Sequence, residues 1–332
     1  MSGTRRLVVR MPNWLGDAVM AIPALAAVRR HFAQSTLVLA APASIAPLFA
    51  ERTPAAPDEI LTVDRPRESR DLRDARADAV LLLPNSFGSA WTARRSGIPE
   101  RWGYAASGRR WLLTRAVRRP RGTRHQIAYY LELVRALGID APDTAPRIEA
   151  TPETAARAAR LLASAGVPEH ARLVGFAPGA AYGHAKRWPP DRVAAVAATL
   201  ARRDAVTPVI FGAAADRDTG RAIESSLPPD VRAVNLIGRT DLRLLVGVVA
   251  RCAAFVSNDS GAMHVAAALG VPVTAVFGPT DERVTAPAGE RHVVIRHEVF
   301  CRPCHLRDCP IDHRCMKRIT VDEVVAGVRK NW

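Results

Sequence analysis

Lysine is almost missing from this chain of 332 residues. Of its 47 basic side chains only Lys186, Lys317 and Lys330 are lysines, and the rest are arginines. Acidic residues are also short, 32 in all, which leaves a formal charge of +15. An arginine- and alanine-heavy composition can follow from genomic base composition alone. The charge nevertheless makes an acidic partner plausible: nucleic acid, an anionic membrane surface or a phosphorylated substrate. No apolar run reaches the ~18–20 residues of a membrane span, because Arg, Asp or Pro interrupts each one. Met1 to Met11 reads as a short strand without the apolar stretch and small-residue cleavage site of a signal peptide. The five cysteines, an odd number in a chain of this size, favour reduced thiols and a cytoplasmic setting. Short-period repeats and low-complexity tracts are absent beyond the alanine bias.

What is present is ordinary for a folded chain, 48% hydrophobic and 24% charged, which excludes a disordered or fibrous one. The length suggests two domains or one large α/β unit. Short apolar runs alternate with longer amphipathic ones, the pattern of an α/β chain built on parallel sheets. Strands are predicted at Leu7–Arg10, Leu37–Ala40, Ile60–Val63 and Ala79–Leu83, and again at Leu173–Ala177, Pro208–Phe211, Ala254–Ser257 and Val273–Phe277. A single helix is predicted over Asp17–Phe32 and others between the later strands. Breaker residues over Gly138–Pro146 separate two similar halves, 1–150 and 170–318, with a linking helix in 151–169. Ligands of such sheets bind beyond the carboxyl ends of the strands, so the strand-to-helix loops are the places to search.

Five segments stand out. Arg10-Met-Pro-Asn-Trp-Leu-Gly-Asp17 follows the first strand; Asp17 reads either as a helix-capping carboxylate, which makes a weaker base, or as a general base. Phe176-Ala-Pro-Gly-Ala-Ala-Tyr-Gly-His-Ala-Lys-Arg-Trp-Pro189 pairs small residues with Lys186, a combination suited to phosphate, although no Walker-type loop is present. Val256-Ser-Asn-Asp-Ser-Gly-Ala-Met-His264 runs into a helix, where Ser260 can cap, the N–H groups of Gly261 and Ala262 can face an anion, and His264 lies one turn along. Cys301-x2-Cys304-x4-Cys309-x5-Cys315 has the residue types of a structural zinc site without the usual paired spacing. Between Arg94 and Arg124 ten arginines oppose Glu100 alone, with Trp91, Trp102, Tyr104 and Trp111 beside and among them; this stretch suits single-stranded nucleic acid, a phosphorylated glycolipid, or a solvated face with partly buried aromatics.

Together these segments resemble the ADP-heptose:lipopolysaccharide heptosyltransferases of glycosyltransferase family nine, over essentially the whole chain. The matching residues are Gly16-Asp17 through Pro23, Pro178 to Pro189, Asn258-Asp-Ser-Gly-Ala-Met-His-Val-Ala-Ala-Ala-Leu269 and Phe277-Gly-Pro-Thr280. Asn13-Trp-Leu-Gly-Asp17 and Leu83-Pro-Asn-Ser-Phe87 look more like the heptosyltransferase II branch than the I branch.

The resemblance implies a GT-B fold, two Rossmann-like domains facing across a cleft, with a C-terminal helix in 320–332 packing back on the acceptor-binding N-terminal domain. It implies inverting transfer of heptose from ADP-heptose to the first heptose of a heptosyl-Kdo-lipid A acceptor, in the cytoplasm at the inner-membrane face. Asp17 would be the base. Lys186, Asp216, Asp259, Ser260, Gly261 and His264 would bind the donor, and Asn13, Asn85, Arg109 and Arg110 the acceptor. No cofactor or catalytic metal is expected, and the cysteine-rich tail, found in only some relatives, is not expected to serve the shared chemistry. Rival readings are a relative acting on Kdo or a later heptose, a catalytically dead donor binder, and a nucleic-acid-binding protein, for which no recognition motif speaks.

Overall fold

The computed structural model describes residues 3–330 and 332. They divide into two compact units, with the boundary between Ile148 and Glu149. The first unit holds strands β1 (Arg6–Arg10), β2 (Thr36–Ala41), β3 (Glu59–Thr62), β4 (Ala79–Leu82), β5 (Glu100–Tyr104) and β6 (Arg115–Val117). They form one parallel sheet in the order β3-β2-β1-β4-β5-β6. The second unit holds β7 (Leu173–Ala177), β8 (Thr207–Ile210), β9 (Val234–Asn235), β10 (Cys252–Asn258), β11 (Val273–Phe277) and β12 (His292–Arg296). Their order is β12-β11-β10-β7-β8-β9. Counted from its own first strand, each sheet has the doubly wound Rossmann order, and the direction of winding reverses between β1 and β4 and between β7 and β10.

Both faces of these sheets are covered, so the central strands are apolar through their middles, with polar residues only at their ends, Arg6 and Arg10 on β1 and Ser257 and Asn258 on β10. In β7, Val174 and Phe176 join one buried cluster with Val193, Val196 and Val256. Leu173 and Ala177, pointing the other way, join a second with Phe211, Phe255 and Phe277. Gly175 lies between Leu173 and Ala177 because the Phe255 ring occupies the space a side chain would need.

Two expectations about boundaries are corrected. The helix Pro152–Ser164, expected as a linker, belongs to the second unit: its buried stripe, Ala158 and Leu162, packs with Leu173 and Val248. The last helix, Val321–Arg329, was expected to return to the first unit. Its apolar stripe, Val324, Val325 and Val328, is instead buried in the core of the second, where Gly327 lets it approach Thr274 on β11. That helix starts at a capping box, in which the Glu323 N–H donates to Thr320 Oγ1 at 3.3 Å and the Thr320 N–H to Glu323 Oε2 at 2.7 Å.

The single helix expected over Asp17–Phe32 is two, Leu15–Met20 and Ile22–His31. Pro23 lacks an N–H and fits only the first turn of a helix, so the second one restarts there. Strands β5, β6, β9 and β12 were not anticipated. Trp102 and Tyr104, read as interleaved with a basic surface, are buried core residues of β5.

His292, at the start of β12, supplies a pH dependence. The Val273 N–H donates to its Nδ1 at 3.2 Å, and Nε2 lies 3.0 Å from the Ala288 carbonyl, so the neutral ring with the proton on Nε2 satisfies both. Burial, assisted by Arg291 and opposed by the Ala288 carbonyl, holds its pKa below 6.5. The unfolded chain therefore takes up this proton more readily, and the contribution of His292 is complete above about pH 6.5 and is lost as pH falls through the folded value. Melting temperature should drop on acidification from about pH 7 to pH 5. His292→Asn, which keeps an acceptor near Nδ1, should melt lower at neutral pH but with a shallower slope. An unchanged slope assigns the dependence to other groups.

Candidate functional site

The loops after β1 and β4 lie side by side because their strands pair, with Arg10 opposite Leu82. Asp17 occupies the third position of the helix Leu15–Met20 and is half-buried. The residue at the cap position is Trp14, whose side chain makes no capping bond, so Asp17 is a first-turn carboxylate rather than the cap. Its charge reaches Tyr130, whose phenol is held protonated well above its usual range by burial and by Asp17. Asn13 is exposed, with its Oδ1 accepting from Arg10 Nη2 at 3.0 Å. Arg10 is itself buried, paired with Glu68 at 2.6 Å. The helix dipole favours the Asp17 carboxylate where it stands.

Asn85, in the loop after β4, donates from Nδ2 to Tyr129 Oη at 2.9 Å and accepts from Arg109 at 3.4 Å. Arg109 does not reach solvent at all. Its guanidinium donates to the carbonyls of Tyr104, Pro84 and Ser86 and to Ser89 Oγ. Burial pushes its pKa down to about 10, so it remains a cation at neutral pH. The expectation that Arg109 contacts an acceptor is thereby corrected, since its donors are consumed in holding the loop that carries Asn85. Arg110, its neighbour, is exposed. Arg101 is another internal strut, bonded to the carbonyls of Ile98, Pro99 and Leu112.

In the second unit the corresponding loops follow β7 and β10, paired through Ala177 and Ser257. Lys186 Nζ meets Asp259 Oδ2 at 2.5 Å, with both side chains largely buried. Asp259 also accepts from Thr280 Oγ1 at 2.7 Å and Thr285 Oγ1 at 3.3 Å. Asn258 clasps both ends of the Lys186 loop: Nδ2 donates to the Pro178 carbonyl at 2.6 Å, and Oδ1 accepts from the Trp188 N–H at 3.2 Å. Asp216 is buried against Gly179, accepting from Arg187 at 3.2 Å and from the Ala213 N–H at 3.0 Å.

Ser260 holds the cap position of the helix Gly261–Ala268, yet its hydroxyl faces Ser257 Oγ at 3.1 Å and makes no capping bond. The side chain therefore does not compete for the first amides of that helix, the arrangement an anion site uses. His264 is buried one turn along. Lys186, Asp259, Ser260, Gly261 and His264 thus share one switch point, with Asp216 beside it on the next loop.

Asn258, Thr280, Thr285 and Arg187 were missed as contributors. Asn258, Thr280 and Arg187 stood inside the quoted motifs, but only the fold reveals what they hold. Cys301, Cys304 and Cys309 all lie close enough to Cys315 to raise its pKa, but among the described residues no group of three or more His, Cys, Asp or Glu side chains stands in the geometry to hold an ion. Cys315 is buried with its thiol pKa raised chiefly by burial, while Cys309 is exposed. Their segment instead braces the Lys186 loop. The Ala185 N–H donates to the Arg307 carbonyl at 2.8 Å, Tyr182 Oη to the His305 carbonyl at 2.7 Å, and His313 Nε2 lies 2.7 Å from the Ala185 carbonyl.

A family model described as glycosyltransferase family 9 (heptosyltransferase) matches residues 65–314. Lipopolysaccharide heptosyltransferase 2 of Salmonella typhimurium is 32% identical over 310 residues, 88% of each chain. The solved structure of Escherichia coli ADP-heptose lps heptosyltransferase II superposes with a TM-score of 0.84 at 28% identity, covering 98% of each chain. A family 9 glycosyltransferase from Veillonella parvula, 23% identical, shares the fold with a TM-score of 0.86 over 98% of this chain and 97% of its own. The fold class is accordingly GT-B, built from two Rossmann-like units.

Replacing Asn258 by Ala removes a donor and an acceptor from a buried clasp and leaves their partners unsatisfied. A loss of roughly 2–4 kcal/mol is expected in denaturant unfolding. Donor affinity should fall beyond what the remaining folded fraction explains. A variant with wild-type stability shows that the loop is held by other contacts.

Proposed function

The chain belongs to glycosyltransferase family 9, the heptosyltransferases, and from that footing we propose that it moves L-glycero-D-manno-heptose, with inversion, from ADP-heptose to the first heptose of the lipopolysaccharide inner core. The observation that carries this reading is the linked set at the second switch point, where Lys186, Asp259 and an uncapped helix start meet. An ammonium beside free amides is suited to a departing diphosphate. The acceptor is assigned to the first unit and the donor to the second.

In the proposed step the acceptor hydroxyl oxygen attacks the anomeric carbon as the bond from that carbon to the β-phosphate oxygen breaks. The hydroxyl proton passes to Asp17, and the electron pair of the broken bond leaves with ADP. Lys186 and the amides of Gly261 and Ala262 take up the charge that develops on ADP, with His264 adding a donor. Asp259 keeps the lysine oriented when no donor is bound. Asp216 retains acceptor capacity for the ribose hydroxyls of the adenosine. Asn13, Asn85 and Arg110 remain the side chains assigned to the acceptor. Because that acceptor, heptosyl-Kdo-lipid A, is anchored in a bilayer, the enzyme works in peripheral contact with the cytoplasmic face of the inner membrane. Among the described residues no helix is long and apolar enough to cross it.

ADP release from ADP-heptose in the presence of heptosyl-Kdo-lipid A tests the reading. Asp17→Asn should lower kcat by roughly 10²–10⁴-fold while ADP-heptose still binds. Release only with an acceptor lacking the first heptose reassigns the protein to an earlier step, and release only with longer cores to a later one. Failure to bind the donor overturns the proposal.

A further inference from the structure

Large aromatic side chains are few in this chain and most are buried, yet three exposed ones stand together on the first unit. Phe87 and Trp91 are 42% exposed and Trp111 is 66% exposed. Their ring centroids lie 6.0–6.4 Å apart in all three pairings. Phe87 and Trp91 are one turn apart on the helix Phe87–Arg95, and Arg94 and Arg95 continue the same flank in its last turn. Trp111 comes from the short 3₁₀ turn Arg110–Leu112, which is pinned by the buried Leu112. The patch does not arise by chance collapse of mobile side chains. Arg109 bonds the Ser86 carbonyl and Ser89 Oγ at the start of the helix, and its own carbonyl accepts from the Leu112 N–H at 3.0 Å. One buried guanidinium therefore fixes the two pieces of backbone that present the rings.

We propose that Phe87, Trp91 and Trp111, flanked by Arg94 and Arg95, form the surface by which this protein docks on an anionic lipid bilayer. Indole and phenyl rings at an apolar–aqueous boundary bury their carbon surface at headgroup depth, where Trp is at home. Arg94 and Arg95 are exposed and have no ion-pair partner among the described residues, so they are available to lipid phosphates. Neither signal suffices alone; a short apolar contact joined to a basic cluster gives stable, reversible attachment. Ring geometry separates this occupant from a stacked sugar or nucleobase. Trp111 stands at 53° to Phe87 and 64° to Trp91, so the three rings offer no common flat platform. A fluid interface requires none. The docking surface extends the reading of a lipid-anchored acceptor given above, but it does not depend on turnover.

The test is sedimentation of the full chain with vesicles of phosphatidylcholine mixed with phosphatidylglycerol, against phosphatidylcholine alone. Wild type should bind the anionic vesicles with a blue shift in Trp fluorescence. The doubly substituted W91A/W111A chain should partition about tenfold or more weakly, from the apolar area it can no longer bury. Arg94→Gln with Arg95→Gln should weaken binding several-fold and flatten its salt dependence. Both variants should melt as wild type does, since the altered side chains are exposed, and both should release ADP normally with a deacylated, water-soluble acceptor. Equal vesicle binding by wild type and W91A/W111A overturns the proposal. So does a raised KM for the water-soluble acceptor in W91A/W111A with vesicle binding intact, which would make the patch an acceptor subsite. Absence of ADP release in every chain counts against the transferase reading alone, and the vesicle result still decides the docking surface.

Discussion

A parallel sheet cannot fold back through a tight turn, so each strand is followed by a crossover that leaves its carboxyl end open. Where the order of strands reverses, two such crossovers depart in opposite directions and their first residues become neighbours. Everything chemically notable in this protein hangs on that constraint, met once between β1 and β4 and again between β7 and β10. It brings Asp17 and Asn85 to one edge of the first sheet. In the second it brings Lys186, 73 residues away in sequence, onto Asp259. Pairing of β7 with β10 fixes that meeting within the register of Ala177 and Ser257, and Asn258, the last residue of β10, reaches across to tie down the neighbouring loop.

Arginine carries much of the internal wiring of the first unit. Three guanidiniums are buried there, Arg10, Arg101 and Arg109, and they are stabilised in different ways. Arg10 has a full countercharge in Glu68, and removing one member of such a buried pair costs roughly 3–5 kcal/mol because the other is stranded. Arg101 and Arg109 have carbonyl dipoles instead of a carboxylate, a partial substitute for water, and burial lowers the pKa of both. Five donors in a rigid fork suit this task as an ammonium cannot. In a chain so rich in arginine, charge read from composition therefore overstates the charge available at the surface.

The same point explains what was and was not legible before the fold was known. β4 and β7 carry no charged or polar side chain, and β1 and β10 have apolar middles of three to five residues, so the loops that follow them, and hence Asp17, Lys186 and Asp259, stood out in the sequence. β5 reads Glu-Arg-Trp-Gly-Tyr and β6 reads Arg-Ala-Val, and their arginines masked two strands as part of a basic surface. β9 has two residues, too few for any period to register. Arg109 was misjudged because sequence gives the charge of a guanidinium but not the five acceptors gathered around it. The packing of the last helix was likewise out of reach: a stripe of valines says that a face is buried, not against which sheet.

The small residues of the Lys186 loop also acquire a different cause. Glycine beside a lysine suggests backbone drawn close to a ligand, but here the first demand comes from the protein itself. A Cβ at Gly179 would press on the Asp216 carboxylate, and one at Gly183 would overlap the Arg307 carbonyl. The loop is therefore threaded between Asp216 and the cysteine-rich segment, with Asn258 bonded at both ends, before any donor arrives. In the donor role proposed for it, a loop already ordered by its neighbours would give up little conformational entropy on binding a diphosphate, leaving more of the interaction energy for orientation. The tail between Cys301 and Cys315 thus braces the segment that carries Lys186 through the backbone of Ala185.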